Sequence, residues 1–519
     1  MISPETRMEA ADVIVIGAGL GGLACGAKLA LSGRRVLILE RKPHPGGTSH
    51  VFERRGYKFP MGPLGFGFPD RVRCFLAEAG ADPALELRRA HYQYLSPAFD
   101  IVYSRPLLEL EAELARRFPA EAAGLAGFMD EFGACVRSAR ARADANPDFL
   151  AGRRRAEALS AAASAAVSGM PAAATPCPDA PSAERLAFHL RDPRLRNFLG
   201  SMGSGEPALS LSHLAFMWAV MAEEGIWFPA AGIHVLVERL ARAFLDAGGA
   251  LRLGTPVLRV EASGRRATAV VTESGERLGA GWVVSNADAK RTLLDLVAPG
   301  ALDPEELDRV RRVPYTKSEV CVYLGLDPGR IDWGRMRARH LFYRKTLAPD
   351  HFSAPEDFDN TDIEICRWDE GMEGLVPEGK SALVLRAGFP FDAFAPWRTG
   401  NKARRAGYRA AKAVLARRLI ETAETALPGL AAAVDVMEVA TPLTYLDWGG
   451  RVLGSIAGWD WSAASLAAFP RKLLVDTSIE NLLLAGVYAA SELFLGGVPT
   501  ALHTGLLAAD LILERDGGS

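Results

Sequence analysis

Little in this chain points to disulfide, metal or nucleic-acid chemistry. Six cysteines (Cys25, Cys74, Cys135, Cys177, Cys321 and Cys366) are scattered over 519 residues, none in a Cys-x-x-Cys pair, and nine histidines form no ligand-type cluster. A disulfide framework and a structural zinc site are therefore not expected. Neither sign of charge dominates: Lys+Arg 60 against Asp+Glu 62 gives a formal net charge of −2. That balance makes no electrostatic case for nucleic acid. The longest uncharged stretch, 158–178, is rich in Ala and Ser and interrupted by Pro171, Pro176 and Pro178. It is too weakly apolar to span a bilayer, although the preceding Arg153-Arg154-Arg155 leaves a peripheral membrane contact open. The acidic start lacks a secretory apolar region, which predicts a cytoplasmic protein. No internal repeat is visible. No Ser/His/Asp or paired-carboxylate arrangement can be read from spacing alone.

What is present begins at Val13-Ile14-Val15-Ile16, an apolar run that enters Gly17-Ala18-Gly19-Leu20-Gly21-Gly22. A helix-compatible stretch follows, then the strand-like Val36-Leu37-Ile38-Leu39, then Glu40. This is the order of a dinucleotide-binding βαβ unit. Gly17 permits the turn, Gly19 allows close approach of a pyrophosphate, and Gly22 allows helix and sheet to pack. Amides at the start of the helix, from Leu20 and Gly21 onward, then face phosphates. Glu40 can accept from a ribose diol, with Arg41 beside it, and its charge disfavours a 2′-phosphate.

A second glycine pair, Pro45-Gly46-Gly47-Thr48, lies just beyond the acid. It resembles the second FAD contact of the large flavoprotein oxidoreductases. Near the other end, 481–486 reads as a strand ending at Gly486, and Gly496-Gly497-Val498-Pro499-Thr500 opens a helix. Pro499 suits a first helical turn. The start of that helix at Gly497, Val498 and Pro499 is placed to face a flavin pyrimidine edge.

Together these segments resemble the phytoene desaturase family of FAD enzymes, which includes carotenoid isomerases and retinol saturases. Phe228-Pro229-Ala230-Ala231-Gly232, Val283-Val284-Ser285-Asn286-Ala287-Asp288, Ala440-Thr441-Pro442-Leu443-Thr444 and Gly454-Ser455-Ile456-Ala457-Gly458-Trp459 match its landmarks in order. The resemblance implies non-covalent FAD, with Val257 near the adenine and Asn286 among the cofactor contacts. It covers nearly the whole chain and is weakest over 98–211. There are departures. Thr48 stands where the family often has Arg or Lys, Met61 interrupts the usual Asp-Gly, and Ala485-Gly486-Val487 lacks the usual Asp.

The implied fold class is α/β, a glutathione-reductase-like Rossmann domain assembled from discontinuous segments, with a mixed α+β substrate domain and a helical lid. The expected FAD-binding pieces are 11–75, 229–295 and 476–515. Residues 76–228 and 296–475 form the substrate domain, and 106–224 is the mainly helical lid. Expected helices include 107–118, 120–143, 209–223, 233–246 and 404–427, and expected strands include 319–326, 381–387 and 434–440.

The stretch 209–221 is apolar on most of its circumference, so it is buried or lines a greasy tunnel. Phe216, Trp218, Trp227, Phe389 and Trp459 are candidate substrate-lining residues, with core packing as the alternative for each. The flavin carries hydride chemistry, so the protein's task is to align a carbon–carbon bond and exclude water. His503, Glu492 and Tyr57 are the candidate proton-transfer residues, and none has a decisive signature. The expected activity is desaturation, saturation or cis–trans isomerisation of an isoprenoid or polyene, with an unnamed electron acceptor or donor. Two rivals stay open. One is an amine or amino-acid oxidase, for which Lys317 and Lys345 are available; the other is a lipid-binding escort-like protein.

Overall fold

The computed structural model describes residues 11–145, 180–201, 209–298, 300–347, 357–460, 462–468, 475–489 and 497–517. The stretch 158–178, Cys177 and Glu492 lie outside the described residues.

Two seven-stranded sheets organise the chain. In the first, the strand order is Val257–Ser263, Arg266–Thr272, Arg277–Ser285, Ala11–Ile16, Val36–Leu39 and Ala250–Arg252. Leu482–Leu484 pairs with the end of Arg277–Ser285 and closes this sheet from a distance of about two hundred residues in sequence. The strands around Ala11–Ile16 are parallel. Val13, Ile14, Val15 and Val36–Leu39 are buried, as parallel strands covered on both faces must be. The helix Leu20–Leu31 packs on both His234–Asp246 and Gly497–Gly517.

The second sheet runs Val434–Ala440, Glu319–Leu326, Ser381–Gly388, Ile363–Arg367, His340–Tyr343, Tyr92–Leu95 and Asp100–Val102. Only His340–Tyr343 and Tyr92–Leu95 pair in parallel; the other neighbours are antiparallel. Alternation along Glu319–Leu326 sends Val320, Val322 and Leu324 into one core, shared with the helix Tyr408–Glu424. Cys321 and Tyr323 point to the other, where the hairpin residues Tyr57 and Phe59 pack. A third core lies among the helices Leu107–Arg117, Ala122–Ala145, Ser182–His189, Pro193–Ser201 and Leu211–Trp218. No described helix is long and apolar enough to cross a membrane.

Several element boundaries move; the expected helix 120–143, for one, runs Ala122–Ala145. The expected helix 404–427 starts at Tyr408, because Ala403–Arg404 pairs with Arg398–Gly400 as a short hairpin. The expected helix 209–223 starts at Leu211 with Ser210 as its cap, and it widens to a π-turn over Ala219–Glu224.

Candidate functional site

The glycine loop lies where the first strand meets the first helix. Gly17 has φ +97°, and Gly19 caps Leu20–Leu31 without a side-chain partner for the first-turn amides. No acidic residue occupies that turn, so the positive end of the helix is left for an anionic ligand. Glu40 is buried at the end of the second strand. Its carboxylate accepts from the Ala18 amide at 2.8 Å and the Lys42 amide at 2.9 Å. Thr255, two residues before Val257, donates its amide to the Glu40 carbonyl at 2.8 Å. Burial pushes the neighbouring Arg41 guanidinium down and Lys42 down to about 8.

The other expected contacts gather around this loop. Gly46, at φ +110°, donates its amide to the Ala18 carbonyl at 2.7 Å. A Cβ on Gly47 would sit 3.5 Å from the Gly19 Cα. Thr48 accepts from Arg451 at 3.1 Å, and Arg41 donates to the Trp448 carbonyl at 3.0 Å. Asn286 leans over the loop. A Cβ on Gly19 would come 2.6 Å from its Nδ2, and one on Gly21 2.7 Å from its Oδ1. Gly486, at φ +90°, donates its amide to Thr504 in the last helix at 3.0 Å. Gly497 begins that helix, with Val498 and Pro499 buried in its first turn. A side chain at Gly19 therefore meets the Asn286 amide. This loop, buried carboxylate and pair of helix starts fit FAD's diphosphate and ribose diol.

Of the three catalytic candidates, His503 and Tyr57 are among the described residues. His503 is buried against the Phe75 ring at 5.8 Å, and burial pushes its imidazole down to about 4. Tyr57 packs beside Phe59 and donates to Asp435 at 3.2 Å; burial, with Asp435, pushes its phenol up to about 12. Three of the expected lining residues are core. Trp218 is walled in by Tyr103 and Phe198 and donates to the Leu199 carbonyl. Phe389 packs between Phe358 and Phe394, and Trp459 stacks on Tyr315 at 4.9 Å. Each fills the space behind its own element, as a large ring at high packing density does. Phe216 and Trp227 are half-buried. The first stacks on Phe68, and the second donates to the Glu224 carbonyl.

The sequence reading missed a buried ionic row on the second sheet. Tyr445 donates to Glu319 at 2.6 Å, and Arg386 lies 3.9 Å from Glu319 and 3.8 Å from Glu364. Glu364 meets His340 Nδ1 at 2.6 Å, and His340 Nε2 lies 3.6 Å from the Cys366 sulfur. Burial alone would lower His340, but Cys366 and Glu364 outweigh it and push it up to about 9. Glu364 is held down by His340 and Arg386 although burial opposes this. Arg386 also donates to the Gly62 carbonyl. Gly62 abuts Thr48: a Cβ there would lie 2.9 Å from the Thr48 Cβ. The row thus reaches the loop that follows Gly46-Gly47. No sequence signal marked it, since charged residues inside strands ordinarily read as a solvated face.

A cavity of about 1110 Å³ opens on the other side of Thr48, between His50, Phe52, Met61, Tyr323 and Tyr445. His44 and His50 stack at its edge, ring centroids 3.6 Å apart.

Comparison with known proteins agrees with this geometry. Residues 20–328 match the family model described as flavin containing amine oxidoreductase. The chain is 28% identical to the lycopene-forming phytoene desaturase of Pantoea ananas over 324 residues, which are 60% of this chain and 63% of that protein. It is 26% identical to the zeta-carotene-forming phytoene desaturase of Myxococcus xanthus over 97% of this chain and 93% of that protein. It is 24% identical to the chloroplastic prolycopene isomerase of Daucus carota over 86% and 72% of the two chains. The fold is shared with cyclohexylamine oxidase from Brevibacterium oxydans IH-35A, with a TM-score of 0.62, 17% identity, and 98% and 100% of the two chains covered. The chain belongs to the flavin-containing amine oxidoreductase family, among its phytoene desaturase- and carotenoid isomerase-like members, and is an FAD-dependent oxidoreductase.

Proposed function

We propose that the protein acts on carbon–carbon bonds of a long polyene or isoprenoid, by desaturation, saturation or cis–trans isomerisation. The carrying observation is the cavity beside Thr48 and Met61, whose inner wall is Phe52, Met61, Tyr323, Val439 and Ala440. That wall offers apolar contact and no paired acid and base, which suits a substrate without a group to ionise. FAD, when bound, supplies hydride acceptance or donation. The chain holds it with the Gly17–Gly22 loop, Glu40, the Gly46–Gly47 pair and the first turn of Gly497–Gly517. Met61 and Phe52 orient the chain of the substrate and exclude water. Arg386, fixed between Glu319 and Glu364, holds the Gly62 carbonyl and so positions the Met61 segment.

Residues 11–75, 229–295 and 476–515 serve as the cofactor domain in this reading, while the described residues that line the cavity come from 44–61, 323 and 402–449 and none from the helices within 106–224. The amine-oxidase reading has no comparable support. Lys345 is engaged by Asp359 at 2.6 Å and Lys317 is exposed.

Anaerobic incubation with polyenes, with the flavin first oxidised and then reduced, tests the proposal. Flavin bleaching with a new double bond identifies desaturation. Reoxidation with a lost double bond identifies saturation. Altered geometry without net flavin change identifies isomerisation. Turnover of simple amines with peroxide release, and none of polyenes, overturns it.

A further inference from the structure

The cavity beside Thr48 is apolar inside and basic outside. Six of its lining side chains are Lys or Arg, against the two carboxylates Glu53 and Glu438. Some of these cations are already satisfied. Arg54 pairs with Glu438 at 2.9 Å, Arg404 pairs with Asp447 at 2.7 Å, and Lys402 sits over the Trp448 ring. Arg405, Arg409 and Lys412 differ: among the described residues no carboxylate lies within ion-pair distance of any of them. Arg409 and Lys412, three residues apart, share one face of the helix Tyr408–Glu424, Arg405 lies in the turn just before its left-handed cap Gly407, and all three line the cavity. This placement is unfavourable in itself. Arg409 and Lys412 repel at this spacing, and the helix dipole disfavours the Arg409 cation in a first turn that holds no acidic residue. Arg405 and Arg409 are exposed at the outer edge, whereas Lys412 is half-buried, and burial lowers its ammonium. An anion at this edge would relieve the repulsion, and a tail attached to it would run inward to Phe52, Met61 and Tyr323.

We propose that this cavity takes an acidic amphiphile, a long polyene chain ending in a carboxylate or phosphate, with Arg405, Arg409 and Lys412 holding the head and Phe52, Met61 and Tyr323 lining the tail. The inference rests on the proposed site of substrate binding and gives that substrate a head group. Binding is measured without turnover, so a failed redox assignment leaves this test intact.

The probes are cis-parinaric acid, a fluorescent tetraene carboxylate, and its methyl ester, titrated into flavin-loaded protein. The acid is expected to bind about tenfold tighter than the ester, and only the acid to weaken as salt is raised. In the R405Q/R409Q/K412Q variant the acid falls to the affinity of the ester, with flavin content and melting temperature retained. Phe52→Arg weakens both probes. Equal affinity for acid and ester in the wild type overturns the proposal, as does a preference that survives the triple substitution. An unchanged response in Phe52→Arg removes the tail from this cavity and also overturns it. Flotation with phosphatidylglycerol and phosphatidylcholine vesicles separates a bilayer from a single bound amphiphile. If the triple variant loses only phosphatidylglycerol binding and keeps its preference for the acid, the cations serve a membrane surface and the proposal fails.

Discussion

Gly21 and Gly505 meet main chain to main chain: a Cβ built on Gly505 would overlap the Gly21 carbonyl oxygen. Leu20–Leu31 and Gly497–Gly517 are thereby brought close enough for the glycine loop and the last helix to share one ligand. Gly505→Ala is expected to destabilise the protein by about 1–3 kcal/mol through overpacking. This outweighs the roughly 1 kcal/mol that Ala gains over Gly inside a helix. Gly517→Ala, where nothing lies within 4 Å, serves as the control. Thermal denaturation of both variants checks the difference.

Cofactor retention discriminates among the loop glycines. A Cβ on Gly22 would overlap the Gly17 carbonyl, which is fixed backbone, whereas one on Gly19 meets the movable amide of Asn286. Gly22→Ala is expected to lose most of its flavin and Gly19→Ala to keep more. The ratio of flavin to protein absorbance after purification measures this, and the reverse order would contradict the described packing.

Glu40→Gln replaces one acceptor oxygen with a donor that faces the Ala18 or Lys42 amide. Hydrogen bonds to charged groups are worth roughly 1.5–3 kcal/mol, so reconstitution with FAD should weaken at least tenfold. Titration of apoprotein with FAD reads the change directly.

The His340–Glu364 contact gives stability a pH signature. His340 is raised to about 9 in the folded protein, so its contribution is full below the ordinary imidazole value near 6.5 and lost as pH climbs through 9. Glu364 is lowered, so its share is full above about 4.5 and lost as pH falls below that. The pair therefore stabilises most between roughly pH 4.5 and 6.5. Glu364→Ala should cost about 3–5 kcal/mol by leaving His340 without its carboxylate partner and Arg386 with Glu319 alone. His340→Gln should flatten the decline between pH 6.5 and 9. Denaturant unfolding across pH measures both.

His50, His213 and His503 act in the opposite direction. Burial pushes each down to about 4, so the folded protein keeps them neutral while the unfolded chain protonates near pH 6.5. Their effect is a loss of stability as pH falls from about 6.5 to 4. His213→Gln should lessen that acid sensitivity, as read by melting temperature at pH 5 against pH 7.

The centre of the cofactor sheet was legible because Val13–Ile16 and Val36–Leu39 are uninterrupted apolar runs with turn glycines at fixed distances. Glu319–Leu326 was legible for a similar reason, and Val434–Ala440 from its apolar residues interleaved with Asp435 and Glu438. Tyr92–Leu95, His340–Tyr343 and Ile363–Arg367 were not, because they mix charged and aromatic residues and gain their burial only from partners far along the chain. The same cause hid Glu364, whereas Glu319 and Arg386 lie on strands that were legible and were hidden because a charged residue in a strand ordinarily reads as its solvated face. Trp218, Phe389 and Trp459 could be read either as tunnel lining or as core because an aromatic side chain carries no mark of which side of its element it will fill.

Leu482–Leu484 joins the first sheet only by pairing with Val283–Ser285, and the glycine loop gains its helical neighbour only from residues past 497. During synthesis, the amino-terminal half of the cofactor cradle must therefore wait, incompletely packed, until nearly five hundred residues have left the ribosome. Such late, non-local closure slows folding and leaves apolar strands exposed to aggregation meanwhile. Lower temperature or a chaperone that shields Val13–Ile16 is expected to raise the folded yield by limiting that aggregation rather than by hastening assembly.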